Sequence, residues 1–486
     1  MEIESNILNL NNDKNIPLCV DLDGTIIYSD TLIESLFTLI KQKPYFIFIL
    51  PFWILKGKTI FKNKVKKYII PNPASLPYRN DVVDFLKSEK AKGRKIVLAT
   101  ATVQEIADSI QNHLQIFDEV LGSSESVNLR SSNKRAKLVE LYGEKGFDYI
   151  GDSSADFEVW KSTRNALVVN NSNIFVEKVK KIANVDKVFK ENNSFIKLLF
   201  KQIRVYQWVK NILIFLPLLM AHKISDLNSL ITVLFAFITF SLGASFVYVL
   251  NDLLDLESDR QHPRKRNRPL ASGKFSLKTA VITAPLLLIL SLTITILFLN
   301  VEFLIVQIVY LIITCLYSFY LKRLHLLDIM TLAMLYTLRI IAGGMAVKVP
   351  LSPWLLAFSV FLFFSLAIVK RYTELRVMKA ENKQKTSGRG YFVEDMELIL
   401  NLGTVSGMLS VLIFVLYVNS HEVVQLYKNP EYLWPVSLIL LYWISRIWFK
   451  AHRDEMNDDP IVFTVKDPVS YIIGLIVLLL VIGAAI

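Results

Sequence analysis

The chain has 486 residues, of which 53% are hydrophobic and 20% are charged, and its formal net charge is +12. This balance excludes a uniformly apolar membrane protein and predicts apolar spans joined to an ordinary globular domain. The positive charge could serve nucleic acid, anionic lipid or phosphorylated substrates. No nucleic-acid-binding motif accompanies it, so we expect no nucleic-acid partner. Cys19 and Cys315 lie in different predicted domains, which supports neither a disulfide framework nor a zinc site.

The chain changes character near Asn192-Asn193-Ser194. Residues 1–195 alternate short apolar runs with polar segments and predict a soluble α/β domain, whereas residues 196–486 predict an all-α polytopic membrane domain. The polar, acidic N-terminus predicts that no signal peptide precedes the soluble domain and that this domain stays in the cytoplasm. We predict nine transmembrane helices, at 208–222, 228–250, 278–299, 301–321, 327–347, 353–371, 397–418, 433–450 and 469–486.

Three predicted strands of the soluble domain end in polar residues. The apolar run 18–20 leads into Asp21-Leu22-Asp23-Gly24-Thr25, and two later runs end at Thr100 and at Asp152. Because the carboxyl ends of parallel strands meet at one edge of a sheet, we expect these side chains to converge on one site.

The ordered set Asp-x-Asp-Gly-Thr, a threonine, a lysine and Gly-Asp-x-x-x-Asp resembles the haloacid dehalogenase superfamily of phosphatases. The resemblance implies a Rossmann-like fold with an inserted helical cap. It implies that Asp21 is the nucleophile and that Asp23 protonates the leaving oxygen and then activates water. Thr100 and Lys134 would hold the phosphate, although Lys137, one helical turn later, could take the place of Lys134. The implied Mg²⁺ ligands are Asp21, Asp23 (through its backbone), Asp152 and Asp156.

The predicted cap, at about 31–90, contains the apolar run Pro44–Leu55, which is too short to span a membrane comfortably. The run is either a helix buried within the cap or an anchor that lies in the membrane interface. Lysines follow it at Lys56, Lys58, Lys62, Lys64, Lys66 and Lys67.

The first predicted span opens with Gln207-Trp208-Val209-Lys210-Asn211, preceded by Arg204. Trp208 and Arg204 fit the aromatic and basic residues of a cytoplasmic membrane interface. Lys210 lies further along the apolar segment, where a cation more often meets a phosphate or a carboxylate than lipid.

The end of the second predicted span carries Asn251-Asp252-x-x-Asp255-x-x-x-Asp259. On a helix the three aspartates lie within about 60° of one another, so their carboxylates share one stripe. Such a stripe needs cations, and carboxylate oxygens suit Mg²⁺ that also bridges phosphate oxygens. A solvated acidic helix end is the alternative. The basic segment that follows, with Arg264 and Arg268, favours a diphosphate ligand.

Cations also mark the junction of the fourth and fifth predicted spans, at Tyr317 to Lys322-Arg323. On a continuous helix Arg339 is nearly in phase with Asp328 and about 16 Å deeper in the membrane. An arginine there should face a cavity with a counter-charge, either a phosphate or a carboxylate of the bundle. His325 has no partner at ligand spacing and is expected to be an interfacial histidine.

With nine alternating spans, the loops rich in Lys and Arg fall on one side of the membrane. The positive-inside rule places that side in the cytoplasm. We therefore expect a multi-pass protein of a bacterial inner membrane, with the soluble domain and both active sites on the cytoplasmic side. The loops are 260–268, 322–323, 370–389 and 450–466.

The membrane domain contains six motifs: Gln-Trp-Val-Lys-Asn at 207–211, the aspartate motif at 251–259, Arg-Pro-Leu-Ala-Ser-Gly at 268–273, Tyr-Ser-x-x-Leu-Lys at 317–322, Leu-Arg-x-x-Ala-Gly-Gly at 338–344 and Lys-Arg-Tyr-x-Glu-Leu at 370–375. Together they resemble the UbiA superfamily, in its decaprenyl-phosphate phosphoribosyltransferase branch. In contrast to the aromatic prenyltransferases, Lys322 and a single carboxylate, Asp328, replace a pair of aspartates at the second acidic site.

This resemblance implies transfer of 5-phosphoribose from phosphoribosyl diphosphate to a polyprenyl phosphate, after which the phosphatase would remove the 5-phosphate. Asp252, Asp255 and Asp259 would hold Mg²⁺ on the leaving diphosphate. A UbiA-type aromatic prenyltransferase that uses a prenyl diphosphate, fused to an independent phosphatase, is the alternative. The expected substrate-binding residues of the membrane domain are Lys210, Asn251, Arg264, Arg268, Tyr317, Lys322, Asp328, Arg339 and Lys370.

Overall fold

The computed structural model describes residues 16–57, 61, 64–65, 68–124, 127–191, 194–382, 390–456 and 460–486. The chain divides into two compact units. The sheet unit contains Met1–Ile203 and Val249–Thr283, and the helical unit contains Arg204–Tyr248 and Ala284–Ile486. Several residues named from the sequence lie outside the described ranges: Lys58, Lys62, Lys66 and Lys67 of the cap, Asn192 and Asn193 at the expected boundary, and the loop residues 383–389 and 457–459.

A parallel sheet forms the centre of the sheet unit. Its strands are β1 (Leu18–Val20), β2 (Ile96–Val103), β3 (Glu119–Ser123), β4 (Asp148–Gly151), β5 (Ala166–Val169) and β6 (Val185–Phe189). They are arranged in the order β3-β2-β1-β4-β5-β6, and every neighbouring pair is parallel. β1 is completely buried, as expected for a short apolar run in a sheet that is covered on both faces. The strand order reverses at β1, so the ligand crevice of such a fold lies at the carboxyl ends of β1 and β4.

Helices cover both faces of the sheet and make up the helical unit. Leu18 and Val20 enter the core on one face, whereas Cys19 enters the core on the other. The helices are α1 (Thr31–Gln42), α2 (Phe46–Leu55), α3 (Asn80–Ala91), α4 (Gln104–Leu114), α5 (Ser132–Tyr142), α6 (Phe157–Trp160), α7 (Asn173–Lys180), α8 (Phe195–Gln202), α9 (Leu216–Met220), α10 (Leu227–Leu254), α11 (Leu256–Gln261), α12 (Leu277–Phe298), α13 (Val301–Phe319), α14 (Leu327–Val347), α15 (Pro353–Ala380), α16 (Met396–Val418), α17 (His421–Leu426), α18 (Trp434–His452), α19 (Pro460–Thr464) and α20 (Pro468–Ala485).

Between β1 and β2 the chain forms α1, α2 and then α3. Asp30 begins α1 because its carboxylate accepts hydrogen bonds from the backbone N–H groups of the next turn. α2 buries Phe46 and Trp53, while Phe52 and Leu55 remain exposed. One face of α2 is thus buried, whereas the other face exposes apolar side chains. That α2 is an anchor in the membrane interface therefore remains a prediction.

Eight helical segments of the described chain are long and apolar enough to cross a membrane, which confirms a multi-pass, all-α membrane domain. The first predicted span is not one helix. Arg204 adopts a left-handed backbone with φ of 54°, and a 3-10 helix, Val205–Phe215, precedes α9. A ninth span requires α8 and Val205–Met220 to act together as one bent span. The eight segments are α10, α12, α13, α14, α15, Val393–Val418, Pro430–His452 and α20.

Close packing within the helical unit depends on Gly343 of α14. A Cβ atom at this position would lie 2.1 Å from the carbonyl oxygen of Ile214. A backbone carbonyl cannot move aside as a flexible side chain can, so only a residue without a side chain permits this approach. The contact holds the 3-10 helix that carries Lys210 and Asn211 against the helix that carries Arg339.

We predict that Gly343→Ala destabilises the protein by about 1–3 kcal/mol, because the added methyl group overlaps the Ile214 carbonyl. Gly474→Ala is the matched control, since a Cβ at Gly474 meets no described atom within 4 Å. The control should change stability by no more than about 1 kcal/mol. Thermal unfolding of both variants in detergent measures the difference. Equal melting temperatures would show that the carbonyl contact does not limit position 343.

Candidate functional sites

Three carboxylates meet at the carboxyl ends of β1 and β4. Asp21, Asp152 and Asp156 each offer one oxygen, and these atoms all lie within 4.8 Å of one another. Asp21 directly follows β1 and Asp152 directly follows β4, while Asp156 ends a short 3-10 turn through a capping box with Ser153. The backbone N–H of Asp21 donates to the carbonyl of Ile150 at 3.0 Å, which joins the two strand ends.

Lys134 is the cation of this cluster. Its Nζ lies 3.0 Å from Oδ1 of Asp21 and 3.8 Å from Oδ1 of Asp156. It also donates to the hydroxyl of Tyr149 at 2.8 Å, and that hydroxyl donates to Asp156 at 2.8 Å. Lys137 is more exposed and pairs with a glutamate one turn away at 3.2 Å. The structure therefore places Lys134, and not Lys137, at the carboxylates.

Burial and mutual repulsion perturb the titration of this cluster. Burial, together with the Asp156 carboxylate, raises the pKa of Asp152 to about 8. Burial also raises the pKa of Asp21, although Lys134 opposes this shift. Burial opposes the charge on Lys134, but the Asp21 and Asp156 carboxylates outweigh it and raise the pKa of Lys134. One ammonium thus faces three carboxylates, and their hard oxygen atoms fit a Mg²⁺ ion that would relieve the repulsion.

The second aspartate of the motif has its own contacts. The Asp23 carboxylate accepts hydrogen bonds from the backbone N–H of Thr31 and the hydroxyl of Thr102, both at 2.8 Å. Burial, with the nearby Asp30, raises the pKa of Asp23 to about 7. Thr100 is fully buried, and its hydroxyl accepts from the backbone N–H of Thr102 at 3.1 Å. The sequence interpretation missed Thr102, although the alternation of β2 puts Thr100 and Thr102 on one face.

The aspartate motif at the end of α10 also belongs to the sheet unit. Asp255 lies between α10 and α11, but helical hydrogen bonding continues across it. Its N–H donates to the carbonyl of Asn251 at 2.9 Å, and its own carbonyl accepts from Asp259 at 2.8 Å. Asp252 and Asp259 are 4% and 2% exposed, and Nη1 of Arg268 lies 3.1 Å and 2.5 Å from their carboxylates. Arg268 therefore supplies positive charge to the stripe.

Asp255 has a different cation as its partner. Nζ of Lys41, near the end of α1, lies 3.2 Å from Oδ1 of Asp255. Across the described ranges, three ligand atoms lie within 4.8 Å of one another only at the Asp21 cluster, so the stripe does not form a group this tight. Gln202 was missed from the sequence. Its Nε2 donates to Asp252 at 2.9 Å, and its Oε1 accepts from the N–H of Leu270 at 3.1 Å.

Arg339 is a buried cation of the helical unit. Its Nε donates to Oδ1 of Asn211 at 2.8 Å, Nη2 donates to the hydroxyl of Tyr310 at 3.1 Å, and Nη1 donates to a backbone carbonyl. These acceptors are neutral, and no described carboxylate lies within ion-pair distance of it. Lys210 is also buried, with Nζ 5.9 Å from the centre of the Tyr336 ring, which Arg339 faces as well.

Asp328 pairs with Arg371, at a place where the sequence had suggested only Lys370. Nε of Arg371 lies 2.6 Å from Asp328, and the two side chains are 1% and 0% exposed. The Tyr391 hydroxyl also donates to Asp328, and Nη2 of Arg371 donates to the hydroxyl of Tyr317 at 3.3 Å. The charge of Asp328 is thus balanced inside the helical unit. Of the other expected substrate-binding residues, Arg264 is exposed and three are half-buried: Asn251, Lys322 and Lys370.

Long apolar helices, an aspartate motif followed by arginines and buried guanidinium groups are the features of a polytopic membrane transferase. The chain belongs to the UbiA prenyltransferase family, whose model matches residues 212–466. The UbiA resemblance inferred from the motifs is therefore confirmed.

Curated relatives extend this assignment. The chain is 38% identical over 468 residues to uncharacterized protein y4nM of Sinorhizobium fredii, covering 96% of this chain and 90% of that protein. It is 33% identical over 267 residues to nodulation protein NoeC of Azorhizobium caulinodans, covering 54% and 85%. It is 38% identical over 185 residues to decaprenyl-phosphate phosphoribosyltransferase of Mycolicibacterium smegmatis, covering 37% and 57%. The membrane part is thus homologous to that enzyme.

We predict that Mg²⁺ raises the melting temperature of the wild type more than that of Asp152→Asn. An ion that binds only the folded cluster adds about 2.7 kcal/mol at 100 times its dissociation constant. Asp152→Asn removes a ligand and also a carboxyl group whose ionised form is repelled by Asp156, so without divalent ions it should be at least as stable as the wild type above about pH 8. Glu158→Gln on α6, whose native side chain is 38% exposed, should keep the wild-type response. An equal Mg²⁺ response in Asp152→Asn would refute the site.

Proposed function

We propose that this protein is a bifunctional membrane enzyme that makes polyprenyl phosphoryl ribose. The UbiA domain transfers 5-phosphoribose from phosphoribosyl diphosphate to a polyprenyl phosphate, and the domain similar to haloacid dehalogenases removes the 5-phosphate. One observation carries the proposal: a phosphatase-like carboxylate cluster and the UbiA aspartate motif belong to one compact unit. The similarity to a decaprenyl-phosphate phosphoribosyltransferase supports the choice of donor and acceptor.

In the transfer step, Asp252, Asp255 and Asp259 would hold Mg²⁺, which neutralises the charge that develops on the departing diphosphate. Arg268 contacts two of these carboxylates and can exchange one of them for a phosphate oxygen while keeping a charge-assisted hydrogen bond. A phosphate monoester is already ionised at pH 7, so the acceptor needs no general base. The groups proposed to bind the remaining phosphates are Lys210, Asn251, Arg264, Tyr317, Lys322, Arg339 and Lys370, with Asp328 orienting this region through Arg371.

The second acidic site favours a sugar-phosphate donor over a prenyl diphosphate. A second Mg²⁺ would need the carboxylate of Asp328, which already pairs with buried Arg371 at 2.6 Å. Taking the carboxylate away would leave a buried guanidinium without its counter-charge, which is strongly destabilising. The alternative function, an aromatic prenyltransferase with an unrelated phosphatase, therefore has less support.

In the phosphatase step, Asp21 would attack the phosphorus of the 5-phosphate and form an aspartyl phosphate while the bond to the ribose oxygen breaks. Asp23, whose pKa is raised to about 7, can give that oxygen a proton and then accept one from the water that hydrolyses the intermediate. Lys134 would hold phosphate oxygens beside Asp21. The products are an alcohol and inorganic phosphate. Loss of the 5-phosphate makes the transfer effectively irreversible.

We place the protein in the inner membrane of a bacterium, with both sites on the cytoplasmic side. The loops that carry most of the Lys and Arg residues of the membrane domain support this orientation. A fused phosphatase would then meet the lipid-linked intermediate at a high effective concentration.

We predict that Asp252→Asn lowers transfer from phosphoribosyl diphosphate to polyprenyl phosphate by about 10²-fold or more. The reason is that the Mg²⁺ proposed to neutralise the leaving diphosphate would lose one of its carboxylate ligands. Hydrolysis of p-nitrophenyl phosphate at the Asp21 site should continue. Asp226→Asn, which precedes α10, is the matched control, since asparagine also caps a helix and Asp226 accepts from the backbone N–H of Asn228.

Radioactive ribose in the lipid fraction measures this transfer. Wild-type protein is tested in parallel with a prenyl diphosphate and an aromatic acid. Normal transfer by Asp252→Asn would refute the metal assignment, and a prenylated aromatic acid without any ribosylated lipid would establish the alternative function.

We predict that Asp21→Asn still forms a lipid product, but that this product keeps its 5-phosphate and is heavier by one phosphoryl group in mass spectrometry. Lys134→Met should behave in the same way, because Lys134 lies 3.0 Å from Asp21. Lys137→Met, on the same helix, should give the dephosphorylated product. A fully dephosphorylated product from Asp21→Asn, in a preparation free of other phosphatases, would show that the Asp21 site does not dephosphorylate this intermediate.

A further inference from the structure

A second cavity adjoins the carboxylate cluster of the sheet unit. The phosphatase cavity has a volume of about 340 Å³ and contains Asp21 and Lys134. The second cavity, here called the side cavity, also has a volume of about 340 Å³. The two share the wall residues Asp23, Asp30, Asp152 and Lys278. The side cavity is further lined by Gly24, Tyr28, Ser29 and Arg79.

Two buried polar atoms of the side cavity lack hydrogen-bond partners among the described residues. They are Oγ of Ser29 and Nε of Arg79, in residues that are 6% and 8% exposed. The Arg79 guanidinium stacks on the Tyr28 ring at 4.5 Å, and its Nη2 is 3.6 Å from Asp81, beyond hydrogen-bond length. A buried donor without an acceptor is costly, so each of these atoms needs a partner such as a water, an ion or a ligand.

The carboxylates around the cavity, by contrast, already have donors. Asp23 accepts from Thr31 and Thr102, and Asp30 accepts from the first turn of α1. Nζ of Lys278 lies 3.5 Å from Oδ2 of Asp30. The unsatisfied groups of the cavity are thus an N–H of a cation and a hydroxyl. Both can donate to an anion.

Residues that follow the UbiA aspartate motif help to build this cavity. Gly273 has φ of +79°, and a Cβ atom there would lie 2.4 Å from Cβ of Tyr28, the residue on which Arg79 stacks. Arg260 and Glu34 form a buried ion pair at 2.6 Å, which joins the same segment to α1. Lys278 is the second residue of α12. The position of two cavity cations therefore depends on the segment Val249–Thr283.

We propose that the side cavity binds a second phosphate group of the phosphatase substrate, namely the phosphodiester that joins the sugar to its lipid. The inference rests on the proposed function, because that intermediate carries a monoester for Asp21 and also a diester. Arg79 can bind two oxygens of a phosphate with its planar fork, Lys278 supplies a second positive charge, and Ser29 donates a hydrogen bond. The phosphatase would in this way select lipid-linked sugar phosphates over small monoesters.

The test compares two soluble substrates with the full-length protein. One is p-nitrophenyl phosphate, and the other is ribose with a 5-phosphate and a short alkyl phosphodiester at its anomeric carbon. The readout is the ratio of kcat/KM for the diester substrate to kcat/KM for p-nitrophenyl phosphate. The ratio should fall by about 10- to 100-fold in Arg79→Gln and by about 10-fold in Lys278→Gln, since each loses a hydrogen bond to a charged group.

Two further variants keep the test decisive if Arg79→Gln does not fold. Ser29→Ala removes only the unsatisfied hydroxyl and should also lower the ratio. Lys274→Gln removes an exposed lysine of the same segment that does not line the cavity, and it should keep the wild-type ratio.

The outcomes separate this inference from the proposed function. If Asp21→Asn hydrolyses p-nitrophenyl phosphate as fast as the wild type, the phosphatase assignment fails. If Asp21→Asn is inactive but Lys278→Gln and Ser29→Ala keep the wild-type ratio, the side cavity does not bind the diester. Inorganic phosphate is added in a separate arm. If it binds the wild type but not Arg79→Gln while the ratio stays constant in all variants, the cavity holds free phosphate and the diester assignment is overturned.

Discussion

Each site in this protein is organised by buried carboxylates that require a positive partner. An ionised group in a protein interior loses its hydration, and only a close counter-charge or a metal ion makes this tolerable. Lys134 serves this role for Asp21, Arg268 for Asp252 and Asp259, and Arg371 for Asp328. The placement of these cations fixes the local backbone, because moving any of them would leave a buried charge alone.

The aspartate motif shares its compact unit with the phosphatase-like fold, and specific side chains connect the two. Lys41 of α1 reaches Asp255, and Glu34, about two turns earlier on the same face of α1, pairs with Arg260 at 2.6 Å. A Mg²⁺ ion on the motif would compete with Lys41 for the Asp255 carboxylate. Since α1 also begins beside Asp23, metal binding at the motif, as proposed above, would be energetically linked to the position of α1. A fusion of two independent domains would not need these contacts.

Local patterns in the sequence predicted two of the three strand ends, at Asp21 and Asp152, whereas Thr100 lies within β2, which continues to Val103. Asp21, Thr100 and Asp152 follow or end apolar runs of strand length, and parallel strands must bring such positions together. The choice between Lys134 and Lys137 was open, because residues three apart on a helix lie close together and only the packing of α5 on the sheet decides which one is buried. Thr102 was within reach of the same reasoning, since strand residues two apart share a face.

Long-range packing explains what the sequence interpretation missed. The pair Lys370-Arg371 offers two cations in one motif, and only the packing of α15 against α14 shows that Arg371 meets Asp328. Gln202 precedes the first membrane segment and has no motif of its own, yet it bridges Asp252 and the N–H of Leu270. Such contacts join residues that are far apart in the sequence, so periodicity does not predict them.

The balance of charge within the helical unit points to its ligand class. The charge of Asp328 is neutralised by Arg371. Arg339, by contrast, donates hydrogen bonds to the neutral acceptors Asn211 and Tyr310, which do not neutralise its positive charge. Aromatic rings surround Arg339 and stabilise a cation without neutralising it. A buried guanidinium with neutral partners attracts an anion more strongly than one that is already paired. The buried Arg339 therefore offers positive charge directly to an anion, as the phosphates of the proposed sugar donor and lipid acceptor would require.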